Sequence, residues 1–155
     1  MVNDSEREQS NNIFVIDMNP TYSRFTSEFR VRPDDIDMNQ HVHNSKYLDY
    51  VLAARYDQME RCYGMSMDEF IQLGYGWVQT KAYIEYKREL RMGDYFSVTT
   101  AIVNFKNNGV VVMFEIKNNK TNKISCIGEM EYTLVSLATG KASTLPQAII
   151  EKYTV

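Results

Sequence analysis

Residues 45–64, SKYLDYVLAARYDQMERCYG, carry apolar side chains at helical spacing, and from residue 76 the spacing falls to two and stays there through residue 137. That change of period constrains the fold more than any other feature. One long helix is followed by consecutive strands with no helical segment between them, and parallel neighbours would need such crossovers. The strands must therefore pair antiparallel, and the helix must bury its stripe against their apolar face. The expectation is an α+β domain with an antiparallel sheet wrapped around a long central helix.

The helix is expected to run for about five turns with Leu48, Val51, Leu52, Tyr56, Met59 and Tyr63 on its apolar stripe. Asn44 or Ser45 is a suitable N-cap, and Gly64 a suitable stop. Ser66 and Glu69 stand three apart, as in a capping box, and open a shorter helix that ends at Gly74. A first strand is expected over 22–32. In the strand after residue 76, Val78, Ala82, Ile84, Tyr86 and Leu90 share the face turned to the helix. Turns are expected at RMGD (91–94), at KNNG (106–109), where Asn and Gly tolerate positive φ, at 118–123 and at 138–141. Pro146 starts a short last helix. The reading is one domain over 13–155, with the polar residues 1–12 as a disordered tail.

Several function classes are set aside. A net charge of -3 offers no general attraction to nucleic acid. No apolar run approaches the ~18 residues that span a bilayer. Cys62 and Cys126 form no CxxC pair, which suits a reduced, cytoplasmic protein. There is no GxGxxG, Walker or GxSxG motif, and the histidines lack metal-ligand spacing, so no metal and no cofactor is expected.

Both histidines of the chain, His41 and His43, lie in the polar loop DMNQHVHN that feeds the long helix. A helix start offers free backbone N–H groups and the positive end of a dipole, which welcome a developing oxyanion. In an extended loop, Asp37, Asn39 and His41 would project the same way and could orient a water for attack on an activated acyl group. Asp37 and Asn39 also have plain readings as turn residues.

RVRPDDIDMNQHVHNSKYLDYVLAAR resembles the hotdog-fold thioesterases, 4-hydroxybenzoyl-CoA thioesterase among them. DMNQHV followed by NSKY is similar to the motif of plant acyl-ACP thioesterases, and IEYKRE at 84–89 to their LEYRRE-type strand. The resemblance implies Asp37, Asn39, His41 and Glu89 as catalytic residues. It also implies a hotdog fold, and a homodimer or homotetramer with active sites between subunits. HVHN stands where the family usually has HVNN, and this chain carries one hotdog unit where the plant enzymes carry two.

The reading is hydrolysis of acyl-CoA or acyl-ACP thioesters by an activated water, with Asp37, His41 and Glu89 as alternatives for the base. Tyr47, Val51 and Trp77 are expected along the acyl tail. Lys87, Arg88 and Arg91 are expected at the phosphates or the carrier's acidic surface. By strand parity Glu89 faces away from the helix, so it should reach His41 only across a subunit interface or after a bulge. The alternatives are a protein that binds acyl carriers without cleaving them, and a hotdog 3-hydroxyacyl-thioester dehydratase.

Overall fold

The computed structural model describes residues 15–155; the expected tail over 1–12 lies outside them. Five strands form one antiparallel sheet: β1 (Arg24–Arg30), β2 (Tyr75–Tyr86), β3 (Tyr95–Lys106), β4 (Gly109–Asn118) and β5 (Ile124–Ser136). Their order is β1-β3-β4-β5-β2. The central strands β3 and β4 are the most deeply buried, and β2 is an edge strand. Helix α1 (Tyr47–Arg61) packs beside β1 and β3. Two short helices complete the chain, α2 (Met67–Gln72) and α3 (Gln147–Tyr153).

The face that α1 buries differs from the expected stripe. Tyr47, Tyr50, Val51, Ala54, Arg55, Gln58 and Met59 are buried, whereas Leu52 and Tyr56 are 54% and 50% exposed. The burial follows two polar residues that hydropathy leaves out. Gln58 is fully buried; its amide donates to Phe25 O at 3.2 Å and to Ser27 Oγ at 3.1 Å, and it accepts from Thr100 Oγ1. Ser27 Oγ in turn donates to Asp57 at 2.6 Å. This chain of satisfied hydrogen bonds stitches the middle of α1 to β1 and β3.

The capping box on α2 is present: Ser66 Oγ accepts from Glu69 N–H, and the Glu69 carboxylate accepts from Ser66 N–H. Asn107 and Asn108 connect β3 to β4 as expected, but without positive φ. Gly109 is needed there for a different reason. A Cβ on it would stand 2.1 Å from the Tyr132 carbonyl oxygen, so β4 and β5 approach too closely for any side chain.

In β2 a bulge between Gln79 and Lys81 reverses the alternation. Tyr75 and Trp77 face the core before it, and Ile84 after it. Val78, expected on that face with Ile84, is instead 46% exposed.

Candidate active site

The loop ahead of α1 is a tight turn, not an extended segment. Asp37 N–H donates to His41 O at 2.8 Å, and Gln40 N–H to Asp37 O at 3.0 Å. Gln40 closes the turn with φ at 63°, the left-handed region. Asp37 Oδ1 accepts from the N–H groups of Asn39 and His41 at 2.9 and 3.1 Å. The projection of Asp37, Asn39 and His41 by simple alternation is therefore corrected, because these backbone bonds fold the segment back on itself. Asp37 sits under the turn, and Asn39 is exposed. The His41 amide above all, with that of Asn39, holds the Asp37 carboxyl below the ordinary aspartate range against the opposing effect of desolvation. Asp37 Oδ2 carries no hydrogen bond among the described residues.

Glu89 meets His41 within one chain. Strand β2 ends at Tyr86, and Lys87 and Arg88 both donate their N–H groups to Ser125 O. The chain then turns towards the 37–41 loop. Val42 N–H donates to Leu90 O at 2.9 Å, His41 bridges Arg91, and Met92 N–H donates to Gln40 O at 3.2 Å. His41 Nε2 and Glu89 Oε1 are 3.8 Å apart, an ion-pair distance longer than a hydrogen bond. Of the two routes expected for Glu89, an interface or a bulge, the chain uses the second: Lys87 and Arg88 share one acceptor just before it, two residues against one, and Glu89 still faces away from the core while Leu90 is buried. Its own backbone amide first, then the His41 imidazole, holds Glu89 below the ordinary glutamate range.

The start of α1 adjoins this pair. The 3-10 turn Asn44–Lys46 leads into the helix, and neither it nor α1 has a side-chain cap. The expected capping by Asn44 or Ser45 does not occur. Tyr47 is 1% exposed, and its hydroxyl accepts from Leu90 N–H at 3.0 Å, tying the helix start to the residue after Glu89.

An apolar cavity of about 190 Å³ opens further along α1. Leu52, Tyr56 and Met59 form its helix side, and Trp77 and Tyr132 its sheet side. Of the residues expected along an acyl tail, Trp77 lines this cavity. Val51 is fully buried in the core, and Tyr47 borders a shallow recess with Glu89 instead. The exposed side of α1, Leu52 and Tyr56, is thus a cavity wall.

Arg88 and Arg91 line a second recess with Glu89, joined by Lys120 and Lys123 from the β4–β5 loop. Lys87 is not with them; its ammonium is 3.0 Å from Glu85. Reading by local pattern missed Lys120 and Lys123, although the run KNNKTNK marks a cationic loop. Cys126 is buried, which pushes its thiol up to about 12, so no thiolate forms there near neutral pH. Among the described residues no three His, Cys, Asp or Glu side chains are placed to hold a metal ion. Among them, too, no helix is long and apolar enough to cross a membrane.

Comparison with known proteins gives three findings. A family model described as the thioesterase-like superfamily matches residues 31–153. The long-chain acyl-CoA thioesterase FadM of Escherichia coli (strain K12) is 22% identical over 126 residues, 81% of this chain and 94% of that protein. Two solved structures share the fold. A 1,4-dihydroxy-2-naphthoyl-CoA thioesterase from Synechocystis superposes with a TM-score of 0.76 at 20% identity, covering 84% of this chain and 96% of that one. The DHNA-CoA thioesterase of Staphylococcus aureus does so at 0.78 and 20%, covering 84% and 88%. The sheet and long helix are those of the hotdog fold, as the resemblance in sequence implied.

Proposed function

The chain belongs to the thioesterase-like superfamily, and from that premise we propose that it hydrolyses acyl-CoA thioesters with an activated water. The observation that carries this reading is the His41–Glu89 pair, 3.8 Å apart beside a helix start without a side-chain cap. The thioester carbonyl lies against the free amides of that helix start, where the oxyanion of the tetrahedral intermediate is stabilised. His41, held by Glu89, takes a proton as water oxygen bonds to the carbonyl carbon. The intermediate collapses with cleavage of the C–S bond, and the proton passes to the departing thiolate. Products are a carboxylic acid and the free thiol. Asp37 shapes the turn that presents His41, and its Oδ2, without a hydrogen bond among the described residues, is the oxygen left to accept from a water. Asn39 holds that water or the oxyanion.

The acyl chain occupies the cavity between Leu52, Met59 and Trp77. The phosphates of CoA, or the acidic surface of an acyl carrier protein, meet Arg88, Arg91, Lys120 and Lys123. Residues 13–155 act as one domain, and the working form is a homodimer or homotetramer. Support for assembly comes from β2, an edge strand of 12 residues with Val78 and Tyr86 exposed.

The test is a panel of acyl-CoA and acyl-carrier-protein thioesters of graded chain length, read by thiol release. Thiol release from the CoA esters, abolished by substitution at His41 or Glu89, is the expected result. Tight binding without release would assign a carrier-binding role instead. Hydration of an enoyl-CoA in place of hydrolysis would assign a dehydratase.

A further inference from the structure

Arg55 is a buried cation with no ion-pair partner among the described residues. It lies two turns into α1, is 6% exposed, and lines the apolar cavity. Its Nη1 donates to Thr100 Oγ1 at 3.1 Å, and its guanidinium lies 5.3 Å from the centre of the Tyr63 ring. Those contacts use one edge and one face. No carboxylate among the described residues forms an ion pair with it, and Nε and Nη2 have no acceptor there.

A guanidinium cannot shed its proton to escape burial, as a lysine or a carboxylic acid can. Burial without a counter-charge is costly, and the Thr100 hydroxyl and the Tyr63 ring offset only part of that cost. Behind the Tyr63 ring that Arg55 covers, Tyr153 stacks at 4.4 Å, and the buried hydroxyls of both tyrosines have no hydrogen-bond partner among the described residues. Tyr153 also borders the cavity. One full positive charge therefore stands at one wall, with the Tyr153 side chain also on the lining, while Leu52, Met59, Met67 and Trp77 make the rest apolar. An aliphatic chain satisfies the apolar walls and leaves the charge bare. A carboxylate satisfies the charge, and the vacant Nε–Nη2 edge suits its two oxygens.

We propose that the cavity binds an acyl group whose far end is a carboxylate, so that the substrate is the monothioester of a dicarboxylic acid. This rests on the thioesterase reading of the His41–Glu89 site. Length follows from helix geometry. Eight residues separate Tyr47 from Arg55, about 12 Å along the axis. An extended hydrocarbon chain of about eight to ten carbons covers that distance. Arg55 acts here as a specificity-determining residue and takes no part in bond breaking.

The experiment compares decanoyl-CoA, 10-hydroxydecanoyl-CoA and the mono-CoA thioester of decanedioic acid as substrates of the full chain. Calorimetric titration with free decanedioic and decanoic acids runs alongside. In the wild type, kcat/KM for the carboxylate-ended substrate should exceed that for decanoyl-CoA by tenfold or more. Arg55→Met should abolish or invert that ratio, and Arg55→Lys should retain part of it. Wild-type ratios near one, or equal preference for the hydroxyl-ended substrate, would overturn the proposal whether or not Arg55→Met folds. If no thioester is cleaved but decanedioic acid binds in an Arg55-dependent way, the cavity assignment stands and the hydrolase reading falls. If decanoyl-CoA is cleaved and decanedioic acid gains nothing from Arg55, the reverse holds.

Discussion

The Tyr47 hydroxyl accepts from the Leu90 amide at 3.0 Å, both residues being buried, so the first residue of α1 fixes the backbone beside Glu89. This bond couples the helix that supplies the free amides to the segment that supplies the carboxylate. Tyr47→Phe keeps the ring and removes the acceptor, leaving a buried N–H unpaired at a cost of about 1–3 kcal/mol. Stability should fall by that amount in denaturant titration, and kcat should fall more than KM rises. Loss of stability with unchanged kcat would make Tyr47 a core residue only.

Val51 separates packing from substrate contact. It is fully buried in α1 and stands one residue from the half-exposed Leu52. Val51→Ala should destabilise the fold by about 1–3 kcal/mol through the cavity it leaves. Chain-length preference across the acyl panel should not move. A changed preference would place Val51 in contact with substrate.

Leu52→Trp makes the complementary test. Leu52 is 54% exposed and forms one wall of the 190 Å³ cavity. A larger side chain there should leave the melting temperature nearly unchanged, because surface substitutions away from special features shift stability by only about 0.5 kcal/mol. It should raise KM for long acyl groups and spare short ones. Uniform behaviour across chain lengths would remove the cavity from substrate binding.

Much of the architecture was legible because its determinants are local. The Ser66–Glu69 capping box, the period of α1 and the turn chemistry at 91–94 act over a few residues, and they hold in the structure. The site was legible only as a set of residues. The N–H groups of Asn39 and His41 donating to the Asp37 carboxylate, and the Asp37 N–H donating to His41 O, turned a presumed extended loop into a closed one. Pairing of residues 90–92 with residues 40–42 brought Glu89 round to His41, a long-range contact that strand parity does not encode. Arg55 and Gln58 were missed for a related reason. Polar side chains enter a core when partners on distant strands, here Thr100 and Ser27, meet them.

Asp57 gives a pH dependence whose sign is fixed. The Arg61 guanidinium first, then the Ser27 hydroxyl, holds its carboxyl below the ordinary value of 3.8. Stability from this cluster is complete above 3.8 and is lost as pH falls through the lower folded-state value. Asp57→Asn should lower the melting temperature slightly at neutral pH, the pair being largely solvent-screened. The gap between variant and wild type should close as pH drops below 3.8. A gap that persists in acid would trace the effect to shape and not to charge.

The central claim is that His41 and Glu89 act as one unit on the attacking water. Its most direct test is a double-mutant cycle in kcat for acyl-CoA hydrolysis with His41→Ala, Glu89→Gln and the pair. Each single substitution should lower kcat by about two orders of magnitude, and the double should lose little more than the worse single. Losses that multiply, or a Glu89→Gln enzyme with wild-type turnover, would show that the two side chains work apart and would contradict the account.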